Sequence, residues 1–282
     1  MKLIDGKAVS AEVKEQLAEE VKRFVASGLR APALAVILVG DDPASAVYVR
    51  NKKRACEQIG ITSLEFILPA ETEEDSLLAL IDRLNSDDGV DGILVQMPLP
   101  PHIDAKKVIE AISPDKDVDA FHPYNVGLLN MGTPRFLPCT PAGVMRLLSH
   151  YGISVAGKDC VVVGRSNIVG KPMSALLLAE NATVTVCHSK TKSLESHLSR
   201  ADVVIAAVGR AEMIGGECLK EGAVVIDVGI NRTDEGLKGD CDFDSCSQRA
   251  SYITPVPGGV GPMTIAILME NTVKSFKYRF AL

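Results

Sequence analysis

The sequence predicts an α/β protein of two domains, and three observations carry the prediction. Short runs dense in apolar and β-branched residues recur with helical stretches between them, the pattern of parallel strands joined by crossover helices. That alternation tightens after Gly157, where five strand-like runs follow in close order. The chain has 282 residues, of which 46% are apolar and 23% charged, enough to build two cores with an ordinary surface.

Taken in order, apolar residues at Val9, Val13, Leu17, Val21, Phe24 and Val25 give helical spacing over Lys7 to Ser27, and Gly28 stops it. Ala33 to Val39 is apolar throughout and reads as a strand buried on both faces. Asp42 and Pro43 suit the N-cap and first turn of a helix that runs to about Gln58, with Gly60 closing it. Ser63 to Leu68 alternates like a strand; Thr72 with Asp75 resembles a capping box for a helix to about Asn85. The next strand, Gly92 to Gln96, must leave the sheet at Met97-Pro98-Leu99-Pro100-Pro101, because proline cannot continue a ladder. A short helix from Asp104 to Ile112 leads into an acidic loop, Pro114 to Pro123, and Thr140-Pro141 caps a helix to about His150. Strands then follow at Cys160 to Val163, Thr183 to Cys187, Asp202 to Val208, Ala223 to Asp227 and Ser251 to Thr254, a doubly wound parallel sheet. Asn231 to Asp242 reads as an exposed hairpin or loop, and a terminal helix runs from Met263 to about Phe280.

The segment from Lys158 to Pro172 organises the second half. A buried strand ends in Gly164, and a helix begins near Val169 with Pro172 in its first turn. A strand, a glycine turn and a helix start make a phosphate cradle, since the helix N-terminus offers unpaired N–H groups and a glycine lets an anion approach the backbone. The common Gly-x-Gly-x-x-Gly spacing is replaced by Gly164-x-Ser166-x-x-x-Gly170, and the same three parts also occur in α/β proteins that bind no nucleotide. The expected division is a three-layer α/β domain over residues 1–140, to which the terminal helix 263–282 returns, and a Rossmann-type dinucleotide-binding domain over 141–262.

Composition excludes several classes. Thirty basic residues against 36 acidic ones give a net charge of −6, the wrong sign for a nucleic-acid surface. The start of the sequence lacks the apolar stretch of a signal peptide and no run approaches a membrane span, so a cytoplasmic location without membrane contact is expected. Seven cysteines with no Cys-x-x-Cys pair fit reduced thiols rather than a disulfide or zinc framework, and no metal is expected.

In a dinucleotide site an acid after the second strand favours NAD by accepting from the ribose 2′-hydroxyl. Here that strand ends Cys187-His188-Ser189-Lys190-Thr191-Lys192, and Arg165 sits in the turn, so a 2′-phosphate would meet hydroxyls and cations. NADP is therefore the expected cofactor. Other strand ends, Val208-Gly209 and Gly229-Ile230, belong to the same ligand-binding edge.

Elsewhere, Lys52 falls among the apolar residues of its helix, one turn after Tyr48. A lysine there is either a snorkelling stem or an amine desolvated enough to accept a proton near neutral pH. Gln96, at a strand end, either orients such an amine or is an ordinary satisfied amide. Asp119 offers paired acceptors for a ring with adjacent N–H donors, or is a solvated loop acid. The Pro257 to Pro262 turn either lets backbone groups touch a ligand or is a stiff corner.

Five stretches, Tyr48 to Lys52, Gln96-Met97-Pro98-Leu99-Pro100, Pro114 to Asp119, Gly164 to Pro172 and Pro255 to Thr264, together resemble the bifunctional methylenetetrahydrofolate dehydrogenase and methenyltetrahydrofolate cyclohydrolase family over essentially the whole chain. The resemblance implies oxidation of 5,10-methylenetetrahydrofolate with NADP, then hydrolysis of the methenyl cation to 10-formyltetrahydrofolate. It assigns Lys52 as base for water, Gln96 to orient it and Tyr48 to stack on the folate. Asp119 would anchor the pterin edge, with Pro257, Gly258 and Gly259 also against substrate. Gly164, Arg165, Ser166, Ser189 and Ile230 match cofactor positions, and a homodimer is implied. Ala120 departs from the family, which has glycine there. Shikimate-type dehydrogenases share a small α/β domain ahead of a nucleotide domain, but the Gln96 to Pro100 turn and the Tyr48–Lys52 pairing speak against them.

Overall fold

In the computed structural model, residues 1–282 are described, the side chain of Ala44 excepted. The chain opens with β1 (Lys2–Leu3), α1 (Gly6–Ala26), β2 (Ala33–Val39), α2 (Pro43–Ile59), β3 (Thr62–Leu68), α3 (Glu74–Ser86) and β4 (Gly92–Val95). Then come α4 (Ala105–Ala111), α5 (Pro123–Asn130), α6 (Cys139–His150), β5 (Asp159–Val163), α7 (Gly170–Ala179), β6 (Thr183–Cys187), α8 (Leu194–Leu198) and β7 (Val203–Ala206). It ends with β8 (Val224–Asp227), β9 (Asn231–Thr233), β10 (Gly236–Lys238), α9 (Phe243–Ser247), β11 (Tyr252–Ile253) and α10 (Val260–Phe280).

Contacts divide the chain into two units, residues 1–10 with 138–264, and residues 11–137 with 265–282. The expected division gave residues 1–10 to the first domain. By contacts they group with the nucleotide-type unit, where β1 pairs in parallel with β11. A strand of two exposed residues has no periodicity to read, so its partner could not be read either.

In the second unit, β2 lies between β3 and β4 in a three-stranded parallel sheet. Every residue of β2 is buried, as its unbroken apolar run requires. Ala35, Ile37 and Val39 join Leu77, Leu80, Ile81 and Leu84 of α3 and Val108 of α4 in one core. Helices α1, α2 and α10 pack together: the Phe24 and Phe276 rings lie 5.2 Å apart and Cys56 touches Met269. Arg30 secures α10, since its guanidinium forks onto Asp91 at 2.6 and 2.8 Å and lies over the rings of Phe276 and Phe280.

The other unit carries a six-stranded parallel sheet in the order β1-β11-β8-β7-β5-β6. Strands β5, β6, β7, β8 and β11 fall on the five runs read from the sequence. The order reverses direction between β5 and β7, and a crevice at such a switch point, off the carboxyl ends of the strands, is where this class of sheet binds ligands. The stretch after β8 forms the β9–β10 hairpin.

Three local expectations differ. The helix after Thr72 starts at Glu74 with Glu73 as its uncapped N-cap, while Thr72 Oγ1 donates to the Pro69 carbonyl. The α6 helix starts at Cys139, one residue before the expected Thr140 cap. Helix α5 was unforeseen; His122 caps it, its Nδ1 accepting from the Tyr124 amide, and its Gly and Asn residues hide the period.

Candidate active site

In the second unit, α2 positions two candidate residues. Asp42 accepts from the Ser45 amide at 2.7 Å, Pro43 occupies the first turn, and Gly60 closes the helix at φ +90°. Its inner face is Val49, Ala55, Cys56 and Ile59, all buried. Burial pushes the Cys56 thiol up to about 12, which makes it a filler rather than a nucleophile. Tyr48 is 40% exposed. Lys52 is half-buried one turn later, and its Nζ donates to Gln96 Oε1 at 2.8 Å. Gln96 continues the ladder through its amide to the Ile37 carbonyl, and its Nε2 donates to the Met97 carbonyl at 2.7 Å. That second bond decides which way the amide faces: the oxygen has to point at the lysine.

Asp119 sits half-buried in the loop that the sequence marked as acidic, and the loop is built from buried polar groups. The Lys116 ammonium is turned inward and caps α3 by donating to the Leu84 and Asp87 carbonyls; burial lowers its pKa. The Asp117 carboxylate accepts from the Phe121 and His122 amides and from Asn125 Nδ2, while burial raises its pKa. Asn271 of α10 donates to the carbonyls of Val118 and Leu137, both at 2.8 Å. Ala120 lies at φ +59° and is buried, so this position does adopt the backbone region that favours glycine, at a cost of roughly 1 kcal/mol for a residue with a Cβ.

In the first unit, Gly164 follows β5 at φ +135°, and a Cβ there would collide with the Ala207 carbonyl oxygen. A Cβ on Gly170 would likewise meet the Gly164 backbone. The turn is therefore folded as tightly as a phosphate cradle requires. Ser166 supports the start of α7, whose N-cap is Val169: its Oγ accepts from the Val169 and Gly170 amides, at 3.1 and 3.4 Å, which leaves its own proton to donate outward. Arg165 and Ser189 are exposed, and Ile230, after β8, is 44% exposed. The loop carrying Ser189 is pinned by the His188 amide on Thr191 Oγ1. Pro257 is exposed, whereas Gly258 and Gly259 are buried. Gly258, at φ +111°, accepts from the Lys7 amide, and a Cβ on Gly259 would meet the Pro255 carbonyl oxygen and the Thr254 side chain, so both positions call for glycine on backbone and packing grounds.

Residues 4–119 match the tetrahydrofolate dehydrogenase/cyclohydrolase catalytic domain, and residues 138–280 match the NAD(P)-binding domain of the same family. The chain belongs to the tetrahydrofolate dehydrogenase/cyclohydrolase family. Within it, a bifunctional protein FolD of Magnetococcus marinus is 60% identical over 276 residues, 98% of this chain and 97% of the relative. The crystal structure of the bifunctional dehydrogenase/cyclohydrolase of Campylobacter jejuni has a TM-score of 0.97 at 54% identity, covering 99% of each chain. That of Trypanosoma brucei, complexed with NADP cofactor and inhibitor, has a TM-score of 0.95 at 40% identity, covering 99% of this chain and 98% of its own.

The structure thus joins Lys52 to Gln96 and gathers Gly164, Arg165 and Ser166 in one turn. Among the described residues no group of three or more His, Cys, Asp or Glu is arranged to hold a metal ion, and no helix is long and apolar enough to cross a membrane. Sequence reasoning missed the buried acids Asp227 and Asp240, which accept backbone amides behind the cofactor-type loops. For Asp227 the available signal was an acid at the end of an otherwise apolar strand.

Proposed function

We propose that the chain oxidises 5,10-methylenetetrahydrofolate with NADP and hydrolyses the methenyl product to 10-formyltetrahydrofolate. The observation that carries the reading is the 2.8 Å bond between Lys52 and an amide whose orientation is fixed. An amide oxygen accepts from an ammonium or a neutral amine alike, so Gln96 can hold Nζ in place through both protonation states of a base. Water adds its oxygen to the methenyl carbon and gives a proton to Lys52. As the bond from that carbon to N5 breaks, N5 takes up the proton held by Lys52, the hydroxyl on the carbon gives its proton up to solvent to become the carbonyl, and the formyl group stays on N10.

The exposed Tyr48 ring is available to stack on the folate, Asp119 to pair with the adjacent N–H donors of the pterin, and the Pro257 to Gly259 turn to lie against substrate. When bound, NADP accepts the hydride, a step that asks the protein for positioning rather than for a strong acid or base. The tight Gly164 turn and the Ser166 hydroxyl suit its pyrophosphate, while Arg165 and Ser189 suit the 2′-phosphate, and Ile230 supplies an apolar contact. Residues 11–137 form the body of the folate domain in this reading, and 141–262 the body of the NADP domain. A cytoplasmic homodimer is the expected form, resting on family likeness, with seven cysteines outside any disulfide fitting a reducing compartment.

Lys52→Met tests the assignment when both steps are assayed on the same preparation. Hydrolysis of methenyltetrahydrofolate should fall by roughly 10²- to 10⁴-fold, the usual contribution of a positioned base, with oxidation retained. Cyclohydrolase activity equal to that of the parent would reject it.

A further inference from the structure

Asp240 is 0% exposed, and its carboxylate is fully engaged by backbone and one side-chain amide. Oδ2 accepts from the amides of Val208 and Gly209, the latter at 3.0 Å. Oδ1 accepts from the Arg210 amide at 3.0 Å and from Asn231 Nδ2 at 2.9 Å. Three consecutive amides converging on one point, with Gly209 at φ +72°, form an anion-binding nest. These amides follow β7, and so flank the switch point of the sheet.

The nest is filled from within the chain, and its filler is itself held. Asp227 Oδ1 accepts from the amides of Asp240 and Gly229, both at 2.9 Å, and its Oδ2 from that of Cys241 at 2.8 Å. The Asp227 amide donates to Thr254 Oγ1 at 2.7 Å. Gly229 has to be glycine here, because a Cβ would strike the Asp240 carboxylate. Ala207, one residue before the nest, is the residue against which Gly164 packs. One buried carboxylate therefore ties the loop after β7 to Asn231, next to Ile230, and backs the Gly164 turn.

We propose that Asp240 is a positioning residue for the dinucleotide: it occupies the 208–210 nest, fixes that wall of the crevice, and leaves the Gly164–Gly170 turn as the seat of the pyrophosphate. The inference rests on the reading of that turn as the NADP site. The loop after β7 and the segment at Asn231 are set by a shared anion before any cofactor arrives, so the cofactor meets a formed surface and loses less ordering entropy.

Asp240→Asn replaces one acceptor oxygen by an N–H₂ that faces amide donors. The dehydrogenase KM for NADP should rise at least tenfold, with hydrolysis of preformed methenyltetrahydrofolate, assayed without NADP, staying within twofold of the parent. A KM within twofold overturns the proposal, and so does an equal fall in both activities, which would mark a purely structural role. Hydrogen exchange on the parent protein tests it independently of whether the variant folds. The amides of Val208, Gly209 and Arg210 should be protected without NADP to within about tenfold of those of β7, and free exchange that slows only on adding NADP overturns pre-organisation. Calorimetric titration of the parent with NADP reports on the underlying reading; no binding there would fell the cofactor assignment and the proposal together.

Discussion

Replacing Arg30 by methionine tests how α10 is held to the second unit. The Asp91 side chain is 0% exposed, and it accepts from Arg30 at 2.6 and 2.8 Å and from the Ala33 amide at 2.8 Å. Arg279 is a weaker second cation, its Nε 3.4 Å from Asp91. Methionine keeps an unbranched stem over the Phe276 and Phe280 rings but removes two charge-assisted bonds and leaves a buried carboxylate with one amide and a distant guanidinium. Removing one partner of a buried pair costs about 3–5 kcal/mol, and a guanidinium that is a third exposed belongs at the low end. A loss of about 3 kcal/mol corresponds to a fall of roughly 6–12 °C in the melting of a unit this size. Arg279→Met should lose clearly less, because its other ion-pair partner, Asp88, is fully exposed and its remaining bond is one to the Val90 carbonyl at 3.2 Å. The Arg30→Met, Asp91→Asn double variant should be less damaged than the sum of the single changes, since a neutral amide at that position leaves no uncompensated charge in the interior. Calorimetric melting of these variants and of Asp91→Asn alone is the assay. A shift under about 2 °C for Arg30→Met, or one no larger than that of Arg279→Met, would show the pair to be an ordinary surface contact.

Two further outcomes follow from the nucleotide-type unit. Arg165→Ala should raise the KM for NADP by about 10- to 100-fold, the loss of one charge-assisted bond to phosphate, while the KM for NAD barely moves; an unchanged preference between the two cofactors would remove Arg165 from the 2′-phosphate site. Burial lifts the Asp227 carboxyl from its ordinary 3.8 to about 6, outweighing the three amides it accepts. A raised pKa means the folded state holds this proton more tightly than the unfolded one. Its stabilisation is therefore fully present below pH 3.8 and lost as pH rises through about 6. Between pH 7 and pH 5 the parent should gain on the order of 1 kcal/mol relative to Asp227→Asn in urea denaturation, and a gain in the opposite direction would refute the assignment.

Most of the fold was legible because buried parallel strands write themselves as unbroken apolar runs. Ala33 to Val39 and Cys160 to Val163 are fully buried as those runs demand. What escaped has a common cause, contacts made far along the chain or by polar atoms. Lys2 and Leu3 carry no pattern; only the edge of β11 makes them a strand. The site was half legible in the same way. Lys52 stood out as a cation among apolar neighbours and Gln96 as a polar strand end, but nothing local says that residues 44 apart share a 2.8 Å bond. The glycine turn at Pro257 carried two readings, and the positive φ of Gly258 with the Pro255 and Thr254 atoms crowding Gly259 accounts for its glycines independently of any ligand. Ser166 matched a cofactor position, and its hydroxyl also accepts from the Val169 and Gly170 amides at the start of α7. Ala120 was flagged by comparison with a family glycine, and its positive φ supplies the physical reason.

The two units are interlaced along the chain, and this bears on how the protein is made. The six-stranded sheet takes its edge strand from residues 2–3 and that strand's partner from residues 252–253. The three-stranded unit is finished by residues 265–282, whose Phe276 lies on Phe24. During synthesis, then, neither unit is complete when its own central strands emerge; both take their last piece from the final stretch that begins at Tyr252. A nascent chain that stops short of that residue would hold two nearly complete parallel sheets, one lacking an edge pair and the other a covering helix. Domain-by-domain folding from the N-terminus is the common route for chains of this length; here the same final stretch completes both halves, so completion of the two is gated by one late event.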